Sequence, residues 1–317
     1  MTPGMLCALC ALYLASLAHA QYTQQPHHRQ ISNATCTLDV SSGQAVRSNT
    51  VNAFRAANTD SSDKEVTHHY ELMYIPHLAR FYRAAFRMLE IGVERGRSVH
   101  LWSRMFPNIQ HTYGFGMDNN FKNLGQKREV GPKATIYNGD QSDASTLDYI
   151  IKDIGATGLL DVILDDGSHF PAHQIFTFEV LFDKLLAPGG TYIIEDVETS
   201  YWDGPQAKVY AYEIKGAGPG KEGSIVERFK SVADLLNRKY MVSPEFSVFK
   251  NQVDHLISSV TFSRNCIIIE KVNPADGWTE ELLKTDDYPH SWYLLPDHED
   301  RDRFKAEKSK RFPGLEV

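Results

Sequence analysis

The chain has 317 residues, a formal net charge of −7 and 42% hydrophobic residues, the balance of an ordinary globular protein. It shows no Lys/Arg cluster, which excludes a non-specific grip on nucleic acid through phosphate contacts. The length suits one large domain or two small ones.

The first element is the uncharged run "MLCALCALYLASL", followed by "AHAQ". It reads as a signal peptide over 1–20, cleaved after Ala20, with Ala18 and Ala20 as the small residues of the site. A basic n-region is missing. The run is short for a membrane span, which needs about 20 apolar residues, so an uncleaved anchor is the main rival. This implies the secretory pathway or the extracellular space. Cleavage would leave Cys36 and Cys266 as the mature cysteines, and the sequence does not decide whether they pair. Asn33-Ala34-Thr35 is a glycosylation sequon, which fits a secreted glycoprotein.

Residues 21–63 are polar, without a sustained apolar period, and are read as a loose arm. Residues 66–87 carry aromatic and aliphatic side chains at helical spacing, with Tyr70 and Tyr74 on one face and a break at Pro76. Short apolar strands then alternate with helices. Strands are expected at 87–93, 111–118, 134–140, 159–166 and 189–196, and helices at 98–106, 144–154 and 172–186. That alternation predicts an α/β fold with a doubly wound, mostly parallel sheet behind a helical lead-in. A Gly-rich stretch (215–223), an amphipathic helix (224–240) and a hairpin turning at Ser263-Arg264-Asn265 follow. The domain is bounded at 64–272, with a polar extension over 273–317.

Ligands of open parallel sheets bind beyond the carboxyl ends of the strands. The first such end is "LEIGVERGRS", where Gly92 and Gly96 permit a tight turn before a helix N-terminus; G-x-x-x-G alone is a weak nucleotide signal. Asp118, at the second end, suits a ribose diol, and Asp140, at the third, an adenine amino group. Either could instead be a turn or cap residue; Ser142 or Asp143 could cap the next helix. The next two ends bring Asp165, Asp166, His169, Glu195 and Asp196. Carboxylates on neighbouring strands repel unless a cation neutralises them, and a hard cation such as magnesium prefers oxygen ligands. His169 and His173 lack the H-E-x-x-H frame of a zinc site, and His169 is the better proton carrier.

The stretches "LEIGVERGRS", "GDQSD", "DVILDDGSH" and "PGGTYIIEDVETSYW", with the upstream "SDKEVTHHYELMY", resemble the macrocin- and mycinamicin-type sugar O-methyltransferases. The resemblance runs from about Asp63 to Lys271. It implies a class I, Rossmann-like methyltransferase fold with a seven-stranded sheet, and S-adenosylmethionine as cofactor. The cofactor set it implies, joined to the strand-end reading, is Glu90, Gly92, Gly96, Ser98, Asp118, Asp140, Gln141 and Asp165. It also implies magnesium on Asp166, Glu195 and Asp196, with Asp166 favoured over Asp165, and a hydroxylated small molecule such as a sugar or polyketide as acceptor. Some members carry a histidine base in the final hairpin turn. Arg264 stands there in this chain and cannot serve as a base, so either His169 takes the role, or a metal-bound hydroxyl loses its proton to water, or the activity has changed; His169 is the catalytic candidate. A metal-dependent lumenal glycosyltransferase and a catalytically inactive methyltransferase-like protein are the competing readings. A homo-oligomer is compatible with the sequence.

Overall fold

The computed structural model describes residues 40–60, 62–94, 96–117, 126–202, 218–237 and 247–277. The signal peptide, Asn33, Cys36, Asp118, residues 215–217 and nearly all of the C-terminal extension lie outside these residues.

The strands are β1 (Phe86–Ile91), β2 (Ile109–Gly116), β3 (Lys127–Gly131), β4 (Ala134–Asn138), β5 (Leu160–Asp165), β6 (Leu186–Glu195), β7 (Ile257–Ser263) and β8 (Cys266–Lys271). They form one sheet in the order β3-β4-β2-β1-β5-β6-β8-β7. The five central strands β4, β2, β1, β5 and β6 run parallel. β8 inserts antiparallel between β6 and β7, as the hairpin reading required. Among the described residues the sheet has eight strands rather than the expected seven. The extra one is β3, antiparallel to β4 at the edge, where Lys127, Arg128 and Glu129 are exposed and carry no apolar signal.

The helices are α1 (Val40–Ala57), α2 (Asp63–Val66), α3 (Ile75–Leu78), α4 (Arg97–Met105), α5 (Ala144–Gly155), α6 (Pro171–Lys184) and α7 (Ile225–Leu236). α1 falls inside the stretch expected to be a loose arm. Its end is instead anchored: Phe54 is buried, its ring 5.7 Å from that of Trp102 on α4. Arg55 pairs with Glu71 at 3.1 Å, and Arg104 Nε donates to Ala57 O at 3.0 Å. Tertiary packing stabilises a helix whose own composition is weak. The lead-in is a series of short helical turns, including Tyr70–Leu72 and Ala79–Phe81, rather than one helix. Among the described residues no helix is long and apolar enough to cross a membrane.

Strand parity divides the core. Successive side chains point to opposite faces. Met88, Val162, Leu164, Ile193 and Ile268 face the lead-in, α1 and α4, beside Tyr70, Tyr74 and Trp102. Leu89, Ile91, Ile163, Ile194, Ile267 and Ile269 face α5, α6 and α7, beside Leu147, Phe178 and Phe229. Both faces are covered, so the central strands read as continuous apolar runs. Parity also assigns the acids at the strand ends. Glu90 and Glu195 fall on the lead-in face, and Asp165 on the α6 face.

Candidate active site

A cavity of about 470 Å³ opens at the carboxyl ends of the parallel strands. Its lining joins the turn after β1 (Gly92, Gly96, Ser98) to Asp140 and Gln141 after β4, and to Asp166, His169 and Asp196. Ser62 and Lys64 of the lead-in line it too. Glu90, Asp165 and Glu195 are not in the lining.

The turn after β1 is forced. Gly92 has φ +97°, and a Cβ there would stand 1.7 Å from the Asp166 carbonyl oxygen. Only glycine lets the β1 and β5 turns touch. Gly96, at φ +74°, caps α4 and leaves its N-terminus towards the cavity. Asp140 turns on itself, accepting from Ser142 N at 2.8 Å, while Asp143 caps α5.

Asp165 is fully buried and shapes the β5 turn. It accepts from Gly167 N at 3.2 Å and from Gln141 Nε2 at 3.3 Å. Burial pushes its carboxyl up to about 6, partly offset by those two donors. Gln141 also accepts from Ser168 N at 2.6 Å, so it pins the β5 turn from the β4 side.

The lead-in supplies a residue that the sequence reading missed. Lys64, 1% exposed, places Nζ 2.6 Å from Asp166, 2.7 Å from Glu195 and 3.1 Å from Glu90. Burial alone would discharge this ammonium. Asp166, Glu195 and Glu90 outweigh it and hold Lys64 well above the usual lysine range. Glu90, expected to hold cofactor, is thus turned inward: Lys64 takes one oxygen, and Trp102 Nε1 donates to the other at 3.0 Å. Glu195 is turned the same way. Burial raises its carboxyl well above the ordinary range, and Asp166 adds to the rise.

Among the described residues, those that could converge on one cation are Asp166, His169 and Asp196. Their donor atoms all lie within 4.8 Å of one another. The expected third carboxylate, Glu195, faces Lys64 because strand parity places it on the lead-in side; His169 stands in the group instead. Carboxylate oxygens with one imidazole suit a divalent metal. One ammonium among Glu90, Asp166, Glu195 and Asp196 also leaves negative charge for a cation to neutralise. His169 Nε2 lies 3.5 Å from Asp196 Oδ2, and His68 Nδ1 lies 3.6 Å from Asp196 Oδ1.

Three non-glycine residues here have left-handed backbones: His169 at φ +54°, Asp196 at +52° and Asn265 at +58°. Such conformations persist where surrounding contacts enforce them. Tyr70 donates a short hydrogen bond to Asp196. Arg264 is exposed, and its neighbour Asn265 is the hairpin residue that reaches Asp196. Tyr201, near the end of the "PGGTYIIEDVETSYW" stretch, is 43% exposed and stands outside the cavity lining. Cys266 is buried and forms no disulfide among the described residues.

No family model matches the chain. It is 36% identical over 149 residues to the 8-demethyl-8-α-L-rhamnosyl tetracenomycin-C 2′-O-methyltransferase of Streptomyces olivaceus, covering 44% of this chain and 36% of that protein. It is 34% identical over 217 residues to the mycinamicin VI 2″-O-methyltransferase of Micromonospora griseorubida, covering 64% of this chain and 49% of that one. The chain thus spans half or less of the length of these curated relatives. The MycE methyltransferase of the mycinamycin pathway, solved with Mg and SAH, superposes with a TM-score of 0.59 at 22% identity, covering 90% of this chain and 72% of that one. The chain has the class I methyltransferase fold and is a sequence relative of the tetracenomycin- and mycinamicin-type sugar O-methyltransferases.

Proposed function

We propose that the protein is an S-adenosylmethionine-dependent O-methyltransferase, assisted by a divalent cation such as magnesium, acting on a hydroxyl of a glycosylated small molecule. The observation that carries this reading is the continuity of one cavity from the Gly92 turn to the Asp166–His169–Asp196 group. The names of the curated relatives support the sugar hydroxyl as acceptor.

The residues have separable tasks. The Gly92 turn and the α4 N-terminus present backbone to the cofactor, while Asp140 and Gln141 border its other end. When bound, S-adenosylmethionine supplies an electrophilic methyl group, and the cation supplies positive charge that acidifies a nearby hydroxyl. With Asp166 and Asp196 as the carboxylates that would hold the cation, His169 Nε2 stays free to receive the acceptor proton, and Asp196 beside it stabilises the imidazolium. Glu90, Glu195 and Lys64 hold the floor of the site. The secretory localisation is part of the proposal, supported by the 5–17 apolar run and the Ala18/Ala20 pair.

Calorimetry of the purified protein with S-adenosylhomocysteine, with and without Mg²⁺, tests the reading. Micromolar binding is expected. No binding and no thermal stabilisation would remove the methyltransferase assignment. Binding of a nucleotide sugar instead would favour a glycosyltransferase.

A further inference from the structure

The acids at the ends of β1, β5 and β6 already have a cation. Lys64 Nζ donates to Asp166 at 2.6 Å and to Glu195 at 2.7 Å, and pairs by charge with Glu90 at 3.1 Å. Those carboxylates lie at the ends of three strands, Asp166 just beyond β5, while Lys64 belongs to the lead-in, 102 residues before Asp166 and 131 before Glu195.

Asp166 is common to both arrangements. Its Oδ2 accepts from Lys64, and it belongs to the Asp166–His169–Asp196 group. A divalent cation drawing on Asp166 would stand close to the ammonium, and like charges at that range repel strongly in a buried setting. Glu195 Oε1 is buried without a hydrogen-bond partner among the described residues, so Glu195 has an oxygen in reserve.

We propose that Lys64 is a built-in counter-cation that competes with a divalent cation for Asp166. Without metal, its ammonium keeps the acids together and the strand ends closed. When metal binds, Lys64 releases Asp166, and the Ser62–Lys64 wall of the cavity shifts with it. Metal occupancy and the shape of the cofactor cavity are thereby coupled through one side chain. The role is one of positioning: Lys64 acts through the carboxylates. It also extends the proposed function, because it rests on a cation binding at this centre.

The test uses the full chain and Mn²⁺ or Mg²⁺ alone as probe. Amine acylation read by mass spectrometry should leave Lys64 protected without metal and label it at saturating metal, while the exposed Lys184 labels equally in both. Lys64→Met should bind Mn²⁺ at least ten-fold more tightly than the parent by calorimetry and should depend on metal for thermal stability. Where that variant does not fold without metal, rescue by Mn²⁺ supports the competition. Lys64→Met/Glu90→Gln, with the charge rebalanced, supplies a second reading of affinity. Unchanged Lys64 labelling at saturating metal, unchanged affinity in either variant, or no metal binding at all would overturn the proposal. S-adenosylhomocysteine titration of the same samples keeps the two readings apart. Cofactor binding without Lys64–metal competition sinks only this inference, and competition without cofactor binding sinks only the methyltransferase assignment.

Discussion

Asn265 donates from Nδ2 to Asp196 Oδ1 at 3.0 Å, joining the tip of the β7–β8 hairpin to the end of β6. The same amide donates to Tyr70 Oη at 2.9 Å, and its Oδ1 accepts from Glu198 N at 2.9 Å. One side chain thus fixes three segments around an acid of the candidate cation group. Asn265→Gly keeps the left-handed backbone and removes all three bonds. It should destabilise the protein by about 1–3 kcal/mol, the scale of hydrogen bonds to a charged group, in urea unfolding. Asn265→Ala should cost about 1 kcal/mol more, because alanine tolerates φ +58° poorly. If both variants unfold like the parent, the hairpin does not hold Asp196.

Much of this architecture was legible in sequence, for physical reasons that also mark where legibility ends. "LLDVILDD" reads as a buried strand because both sheet faces are covered, and its acids fall at the ligand-binding end. Which acid faces which layer depends on parity and register: Glu90 pairs with Leu164, and Asp165 with Ile194. That pairing sends Asp165 to Gln141 and Glu195 to Lys64. Lys64 itself was hidden, since a lone lysine in "SDKEV" carries no local sign of partners over a hundred residues away. A cluster of acids demands a cation, but the demand does not say whether a metal or an ammonium meets it. α1 was missed because its stability comes from Phe54 packing on Trp102 and not from its own residues.

Gly92 carries a sharper expectation. A methyl group there would overlap the Asp166 carbonyl and would force alanine into φ +97°. Gly92→Ala should therefore cost about 2–5 kcal/mol, combining backbone strain with overpacking. S-adenosylhomocysteine binding should fall with it, because the β1 and β5 turns must separate. A variant that is fully stable and binds with parent affinity would show that the contact is dispensable.

His169 lines the cavity beside Asp196, and the proposed function gives it the acceptor's proton. His169→Ala should lower methyl transfer by about 10²–10⁴-fold, the usual contribution of a positioned base. S-adenosylhomocysteine affinity should change less than two-fold. Single-turnover rates with a hydroxylated glycoside acceptor, set beside calorimetry, separate the two effects. An unchanged transfer rate would remove His169 from the chemistry.

Asp143 sets a pH dependence remote from the site. It caps α5, accepting from Ser145 Oγ at 2.6 Å and from Thr146 N at 2.9 Å. The Ser145 hydroxyl, then the Thr146 hydroxyl and amide, lower its carboxyl from 3.8 to about 2. A carboxyl depressed by folding stabilises the folded state once ionised. Its contribution is complete above the unfolded value of 3.8 and is lost as pH falls through about 2. Asp143→Ala should accordingly melt below the parent at pH 7 by an amount that stays constant down to about pH 4.5. The gap should then close between pH 4 and pH 2, as the parent loses its charged cap. Melting curves of both proteins across that range decide the matter: a difference independent of pH would assign the effect to helix propensity rather than to the ionised cap.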